Sequence, residues 1–138
     1  MRSLEEWLAL YAQSHQNKIN KRIHYICVPL IMFSILGILW AITPFLSAVV
    51  VLFGVIYYLR LSIPLGVIMF IASIVMLLII SLMTNRLGIC IIIFVVSWIL
   101  QFIGHKLEGK KPSFFQDLQF LLIGPLWIAN ELFLKKNK

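Results

Sequence analysis

The sequence predicts an all-α integral membrane protein with about four transmembrane helices. Hydrophobic residues make up 62% of the chain and charged residues 12%, which leaves too little polar surface to cover a soluble domain. Several apolar runs also follow one another between residues 25 and 104 with almost no charge among them. Because a membrane-spanning helix needs about 17 to 25 mostly apolar residues, the lipid bilayer is the expected solvent.

The N-terminal segment is predicted to form an amphipathic helix on the membrane surface. Ser3 and Glu6 have the spacing of a capping box. Apolar side chains follow at the spacing of one helix face, namely Leu4, Trp7, Leu8 and Tyr11. A continuous helix would add His15 to this stripe and aim its ring toward the bilayer. The segment lacks the features of a cleavable signal peptide, so we expect it to remain on the mature protein.

Four apolar runs are the candidate spans of one predicted domain, residues 1–138. The expected spans are residues 25–43, 45–60, 62–83 and 87–104. The second run is the weakest candidate, because roughly 15 residues rise only ~23 Å in a hydrocarbon core of ~30 Å. The sequence shows no linker or repeat between these runs, which favours a single compact bundle.

The C-terminal apolar stretch, residues 118–134, is predicted to form a re-entrant or interfacial helix. Gly124 and Pro125 interrupt it, and it carries Glu131.

The orientation in the membrane is predicted from the basic residues. If the N-terminus is in the cytoplasm, four spans return the chain to the cytoplasmic side. Arg86 is then the basic residue on the outer side, a distribution that the positive-inside rule favours. We therefore expect cytoplasmic termini, in a bacterial inner membrane or the endoplasmic reticulum.

The net charge of +7 is explained by basic residues beside the membrane, where they attract anionic lipid headgroups. Because these residues are scattered over loops and form no continuous face, we expect no nucleic-acid partner.

Cys27 and Cys90 are expected near opposite membrane surfaces, too far apart to form a disulfide bond. They are interpreted as packing residues.

The predicted topology brings all three histidines to one membrane face. His24 lies at the inner end of the first span, His105 lies at the inner end of the fourth, and His15 comes from the surface helix. In a continuous helix His15 and His24 would point to opposite faces, since they are nine residues apart. A single site that contains both rings therefore requires a break in the helix, which residues 16–20 can supply.

Polar side chains accompany these histidines. Asn17 and Asn20 share a helix face with His24. On the fourth span, polar residues follow at spacings of three and four, namely Ser97, Gln101, His105 and Glu108. Polar groups at membrane depth are costly and usually face a cavity, a partner group or an ion. Interhelical hydrogen bonding explains Gln101 equally well, and a single histidine at a membrane mouth is more often an interfacial residue.

Three imidazoles with nearby carboxylates suit a metal ion. Glu108 and Glu131 are the candidate carboxylates, either as a ligand or as a partner that orients an imidazole. Because imidazole is a ligand for both iron and zinc, the residue types leave Fe(II) and zinc both open. Lysines after the fourth span can help to attract an acidic substrate, although solvated surface charge is the simpler interpretation. These lysines are Lys106, Lys110 and Lys111.

Two motifs in combination resemble the Mpo1-like family, which was once catalogued as a domain of unknown function. The first motif is H-x-N-x-x-N-x-x-x-H, from His15 to His24, and the second is Q-F-x-G-H, from Gln101 to His105. Glu108, Pro112 and a distal Gly-Pro followed by Glu131 extend the resemblance over nearly the whole chain.

The resemblance implies an Fe(II)-dependent dioxygenase of fatty-acid α-oxidation, which uses O₂ to shorten a long-chain 2-hydroxy fatty acid by one carbon. Carried over by position, the family's histidines fall on His15, His24 and His105. The substrate tail would then lie among the membrane lipid and the spans, with its carboxylate at the histidines. Two other functions stay open, namely a non-enzymatic lipid-binding or small transport protein and a zinc-dependent membrane hydrolase.

Overall fold

A computed structural model describes residues 3–13, 15–109 and 114–134, with side chains for all of these except residues 114–119 and 134. Within these ranges the chain is helical and contains no strand. The helices are α1 (Leu4–Gln13), α2 (Lys18–Ile42), α3 (Pro44–Leu61), α4 (Ile63–Leu82), α5 (Arg86–Glu108) and α6 (Phe114–Ala129), followed by a π-helix (Asn130–Leu134).

Helices α2 to α5 are each long and apolar enough to cross a membrane. The predicted all-α membrane fold with four long apolar helices is thereby confirmed. Helix α3, which corresponds to the weakest expected span, has 18 residues and is therefore ~27 Å long. The placement of α1 and α6 relative to the membrane stays a prediction.

The two helices that carry histidines extend beyond their apolar runs. Helix α2 begins at Lys18 and not near residue 25, and α5 continues to Glu108. Asn17 caps α2, because its side-chain oxygen accepts hydrogen bonds from the backbone N–H groups of Ile19 at 2.9 Å and Asn20 at 3.1 Å. Gly109 ends α5 in the left-handed conformation, with φ 78°, which glycine adopts without strain. The polar helix ends thus belong to the same rigid elements as the spans.

Helix α2 packs closely along α5. Gly37 permits this close approach, because a Cβ atom at that position would overlap the sulfur of Cys90. Cys27 and Cys90 are both buried free thiols, in agreement with their interpretation as packing residues.

Helix α6 packs against α1, α2 and α4. Its second half lies in the protein core, where Ile123 and Leu126 are buried. The hydroxyl of Tyr58 on α3 donates a hydrogen bond to the backbone carbonyl of Leu122 at 2.8 Å. The C-terminal helix therefore closes one side of the bundle that carries the histidines.

Candidate functional site

His15 lies in the connection between α1 and α2, not on a continued surface helix. Helix α1 ends at Gln13, and the ring of His15 stacks on that of Tyr11 with 4.0 Å between centroids and 4° between planes. Its Nδ1 donates to the backbone carbonyl of Tyr11 at 2.6 Å, since a carbonyl can only accept. His15 is 1% exposed. The break that joint use of His15 and His24 requires is thus present between the two helices.

His24 lies in the second turn of α2 and is 2% exposed. Its Nδ1 donates to the backbone carbonyl of Asn20 at 3.0 Å. In a neutral imidazole whose Nδ1 carries the proton, the lone pair is on Nε2. Both His15 and His24 therefore have the tautomer found in histidines that bind a metal through Nε2.

The third ring of the cluster comes from α5. The ring centroids of His15 and His24 are 4.2 Å apart, those of His24 and His105 are 5.4 Å apart, and those of His15 and His105 are 6.2 Å apart. His105 is also buried. The structure thus brings together all three histidines that were predicted to share one site.

The donor chemistry of this cluster fits iron or zinc, because three neutral imidazoles are a common ligand set for both metals. Across the described part of the chain, no group of three or more His, Cys, Asp or Glu side chains is already spaced to hold a metal ion. The rings would therefore have to move closer around an ion.

Glu108 holds the connection that carries His15. Its carboxylate accepts hydrogen bonds from the backbone N–H groups of Gln16 at 3.1 Å and Asn17 at 2.9 Å, and from the side-chain amide of Asn20 at 3.0 Å. A carboxylate with two oxygens can satisfy all three donors at once. Glu108 therefore ties the end of α5 to the start of α2, and its observed contacts are those of a residue that positions the histidines.

Asn20 lies between Glu108 and the histidines and is fully buried. Its backbone carbonyl receives the hydrogen bond from His24, and its side chain contacts Gly104 on α5. A Cβ atom at Gly104 would overlap the side-chain oxygen of Asn20 and lie 3.5 Å from the His24 ring. Glycine is thus required between Gln101 and His105 for α2 and α5 to meet at this depth.

A cavity of about 300 Å³ opens beside the histidines. All three rings line it, as does Gln101, which is buried. The rest of the wall is mainly aliphatic and aromatic, and its residues are Tyr11, Val28, Ile31, Met32, Ile35, Leu36, Val50, Val51, Gly54, Val55, Tyr58, Ser73, Phe120, Leu121, Leu122 and Pro125. An apolar pocket with a few convergent polar groups is the usual form of a small-molecule site.

Among the described residues, Glu131 and Lys106 were also predicted and do not line the cavity. Glu131 is half-buried in the π-helix. Lys110 and Lys111 lie outside the described residues, whereas Lys106 is exposed at the end of α5. Asn17 caps α2, and its backbone N–H donates a hydrogen bond to Glu108. It does not line the cavity.

Sequence reasoning missed the aromatic wall around His15. Besides its stack on Tyr11, His15 lies 6.3 Å from the ring of Phe120 and 5.9 Å from that of Trp127, between centroids. Tyr11 was recognised only as part of an apolar stripe. Its position four residues before His15 was the available signal, whereas the contacts with α6 depend on tertiary packing that no local pattern contains.

Comparisons with known proteins agree on one family. A sequence model of the family described as "2-hydroxy-palmitic acid dioxygenase Mpo1-like" matches residues 1–60 and 66–136. The chain is also 31% identical, over 143 aligned positions, to the protein named 2-hydroxy-palmitic acid dioxygenase MPO1 of Saccharomyces cerevisiae. That alignment covers 96% of this chain and 80% of the yeast protein. No solved structure matches the chain significantly.

Proposed function

Because this chain belongs to the Mpo1-like family of 2-hydroxy-palmitic acid dioxygenases, we propose that it is a membrane dioxygenase that shortens long-chain 2-hydroxy fatty acids by one carbon. The observation that carries the proposal is the cluster of three buried imidazoles at one end of an otherwise apolar cavity. With O₂ as the oxidant, the atoms balance when a 2-hydroxy acid gives the shorter acid, CO₂ and water.

Fe(II) is the proposed metal, held by His15, His24 and His105. The chemistry that Fe(II) supplies when bound is the activation of O₂ toward the α-carbon of the substrate. The carbonyls of Tyr11 and Asn20 orient the first two rings through Nδ1, which places the lone pair of each neutral ring on Nε2, the atom proposed to bind the metal. The observed contacts of Glu108 favour its role as a support for this set over a role as a fourth ligand, and Glu131 is not needed.

The substrate is proposed to place its carboxylate and hydroxyl at the imidazoles and its tail in the apolar part of the cavity. Gln101 is the buried neutral donor closest in sequence to His105 on the cavity wall, and it can donate a hydrogen bond to the carboxylate. The aliphatic wall excludes water from the α-carbon, which favours oxidation of the bound acid over side reactions.

The membrane face of the site is proposed to be cytoplasmic. The starts of α2 and α4 and the ends of α3 and α5 lie on one side of a four-helix bundle. Basic residues of the described chain concentrate there, namely Lys18, Lys21, Arg22, Arg60 and Lys106, with Arg86 at the opposite end. This distribution follows the positive-inside rule.

The direct test is incubation of the purified full chain with Fe(II), O₂ and 2-hydroxyhexadecanoic acid, followed by mass spectrometry. The proposal predicts the acid with one carbon fewer and requires both iron and oxygen. Anaerobic purification followed by elemental analysis separates the other functions: zinc with no oxidation would favour a hydrolase, and bound fatty acid with no metal would favour a lipid-binding protein.

A further inference from the structure

The cavity is polar at one end and apolar along the rest of its length. The polar end consists of the three histidines and Gln101. Farther along, the polar residues of the wall are Tyr58, whose hydroxyl is bound to the Leu122 carbonyl, and Ser73. A ligand that matches this distribution has one polar head and a long apolar tail, and the tail is the part that the far end contacts.

The length of the cavity follows from α2, which lines it from His24 to Leu36. Twelve residues of helix correspond to ~18 Å. An extended hydrocarbon chain advances ~1.25 Å per carbon, given C–C bonds of ~1.5 Å and angles of ~111°. The apolar part of the cavity therefore accommodates about 14 carbons beyond the head group.

Helix α3 also lines the cavity, and one hydrogen bond shows its register against α2. The hydroxyl of Ser47 donates to the backbone carbonyl of Leu36 at 2.9 Å, so these two residues lie at the same depth. Because α3 runs antiparallel to α2, Val51 lies ~6 Å and Gly54 lies ~11 Å from Leu36 toward the histidines. Measured from His24, Val51 is thus ~12 Å and Gly54 ~8 Å along the cavity.

Gly54 leaves the wall open at its depth. It lines the cavity, and a Cβ atom added there would have no other atom within 4 Å. The contrast with Gly37 and Gly104 is direct, since each of those glycines is in close contact with a neighbouring side chain. Gly54 is therefore not needed for helix packing, and its missing side chain keeps space for a ligand.

We propose that the α2–α3 cavity is the acyl-chain channel of the enzyme, and that Gly54 and Val51 lie at the two depths where the small size of the wall residue lets a longer chain pass. The inference rests on the proposed function for the identity of the substrate head group. A phenylalanine at Gly54 would block the channel about 6 carbons beyond the head, and one at Val51 would block it about 10 carbons beyond the head. A shorter chain-length limit for the Gly54 variant than for the Val51 variant is the result that distinguishes a blocked channel from a general loss of packing.

The test uses the purified full chain and 2-hydroxy fatty acids of about 6 to about 18 carbons. We expect Gly54→Phe to retain turnover of the shortest acids and to lose that of the long ones by about tenfold or more, and Val51→Phe to lose only the longest. Ile56→Phe is the matched control, because Ile56 is exposed on the same helix and does not line the cavity. It should leave the chain-length profile unchanged.

An unchanged profile in both cavity variants, or an equal loss for short and long acids in variants that keep the wild-type unfolding temperature, would overturn the proposal. If Gly54→Phe does not fold, Gly54→Leu, which adds a smaller side chain, and Val51→Phe provide the test of the channel. A second readout is equilibrium binding of unhydroxylated fatty acids of the same lengths to metal-free protein. If the variants shift the chain-length profile of binding but the protein shows no turnover, the channel is supported and the dioxygenase is refuted. If the protein turns over 2-hydroxy acids but neither profile shifts in the variants, the dioxygenase is supported and the channel is refuted.

Discussion

The carboxylate of Glu108 accepts a hydrogen bond from the side-chain amide of Asn20 at 3.0 Å, across 88 positions of sequence. The same carboxylate also receives two backbone N–H groups of the α1–α2 connection. One acidic residue at the end of α5 therefore fixes both the segment that carries His15 and the residue whose carbonyl holds His24. The geometry of the histidine cluster is thus linked to this junction.

Replacement of Glu108 tests this dependence. In Glu108→Gln the side chain has one acceptor oxygen for three donors, so the connection should loosen and the rings should lose their alignment. We expect Fe(II) affinity to fall by about 10-fold to 100-fold, measured by anaerobic titration. Glu108→Asp, which keeps both acceptor oxygens, should recover part of the loss.

The matched control for Glu108 is Glu5→Gln, because Glu5 is exposed on α1 and does not line the cavity. It should bind Fe(II) as the wild type does. Wild-type affinity in Glu108→Gln would show that the junction does not position the metal ligands.

Gly104→Ala tests the close contact of α2 and α5 beneath the histidines. The added methyl group would overlap the side-chain oxygen of Asn20, and overpacking of this kind costs about 1–3 kcal/mol of unfolding free energy. The measurement is thermal unfolding in detergent. Gly54→Ala is the control, since its methyl group enters open space; an unfolding temperature of Gly104→Ala equal to that of the control would refute the contact.

Tyr58→Phe tests the bond between α3 and α6. Loss of the hydroxyl leaves the Leu122 carbonyl without this donor, and a buried hydrogen bond contributes about 0.5–1.5 kcal/mol. We expect a lower unfolding temperature and faster protease cleavage at the C-terminal helix. The adjacent Tyr57→Phe should change neither, and equal behaviour of the two variants would contradict the assignment.

The sequence was sufficient for the membrane fold, because apolar runs of bilayer length report directly on the solvent of a helix. It was less informative about helix ends. The apolar run of the first span starts near residue 25, yet α2 begins at Lys18, because an asparagine cap and polar residues extend a helix without adding hydrophobicity. That extension carries Asn20 and His24, so it matters more to the site than the span does.

For the site, topology alone predicted that His15, His24 and His105 would meet, and the structure brings them together. The contacts that support the histidines could not be predicted from the sequence. Glu108 was expected to act as a ligand or to orient an imidazole, and its bonds to Gln16 and Asn17 depend on how two distant helix ends meet. The aromatic neighbours of His15 on α6 were likewise invisible, since packing partners far apart in sequence leave no local periodicity.

The most direct test of the histidine centre is the iron content of the anaerobically purified protein, measured in parallel for the wild type and for His15→Ala, His24→Ala and His105→Ala. Helical content and unfolding temperature serve as controls for folding. We expect iron bound to the wild type and lost, together with turnover of 2-hydroxyhexadecanoic acid, in each folded variant, because removal of one imidazole leaves two ligands. Full iron content and turnover in all three variants would contradict a histidine-held iron centre.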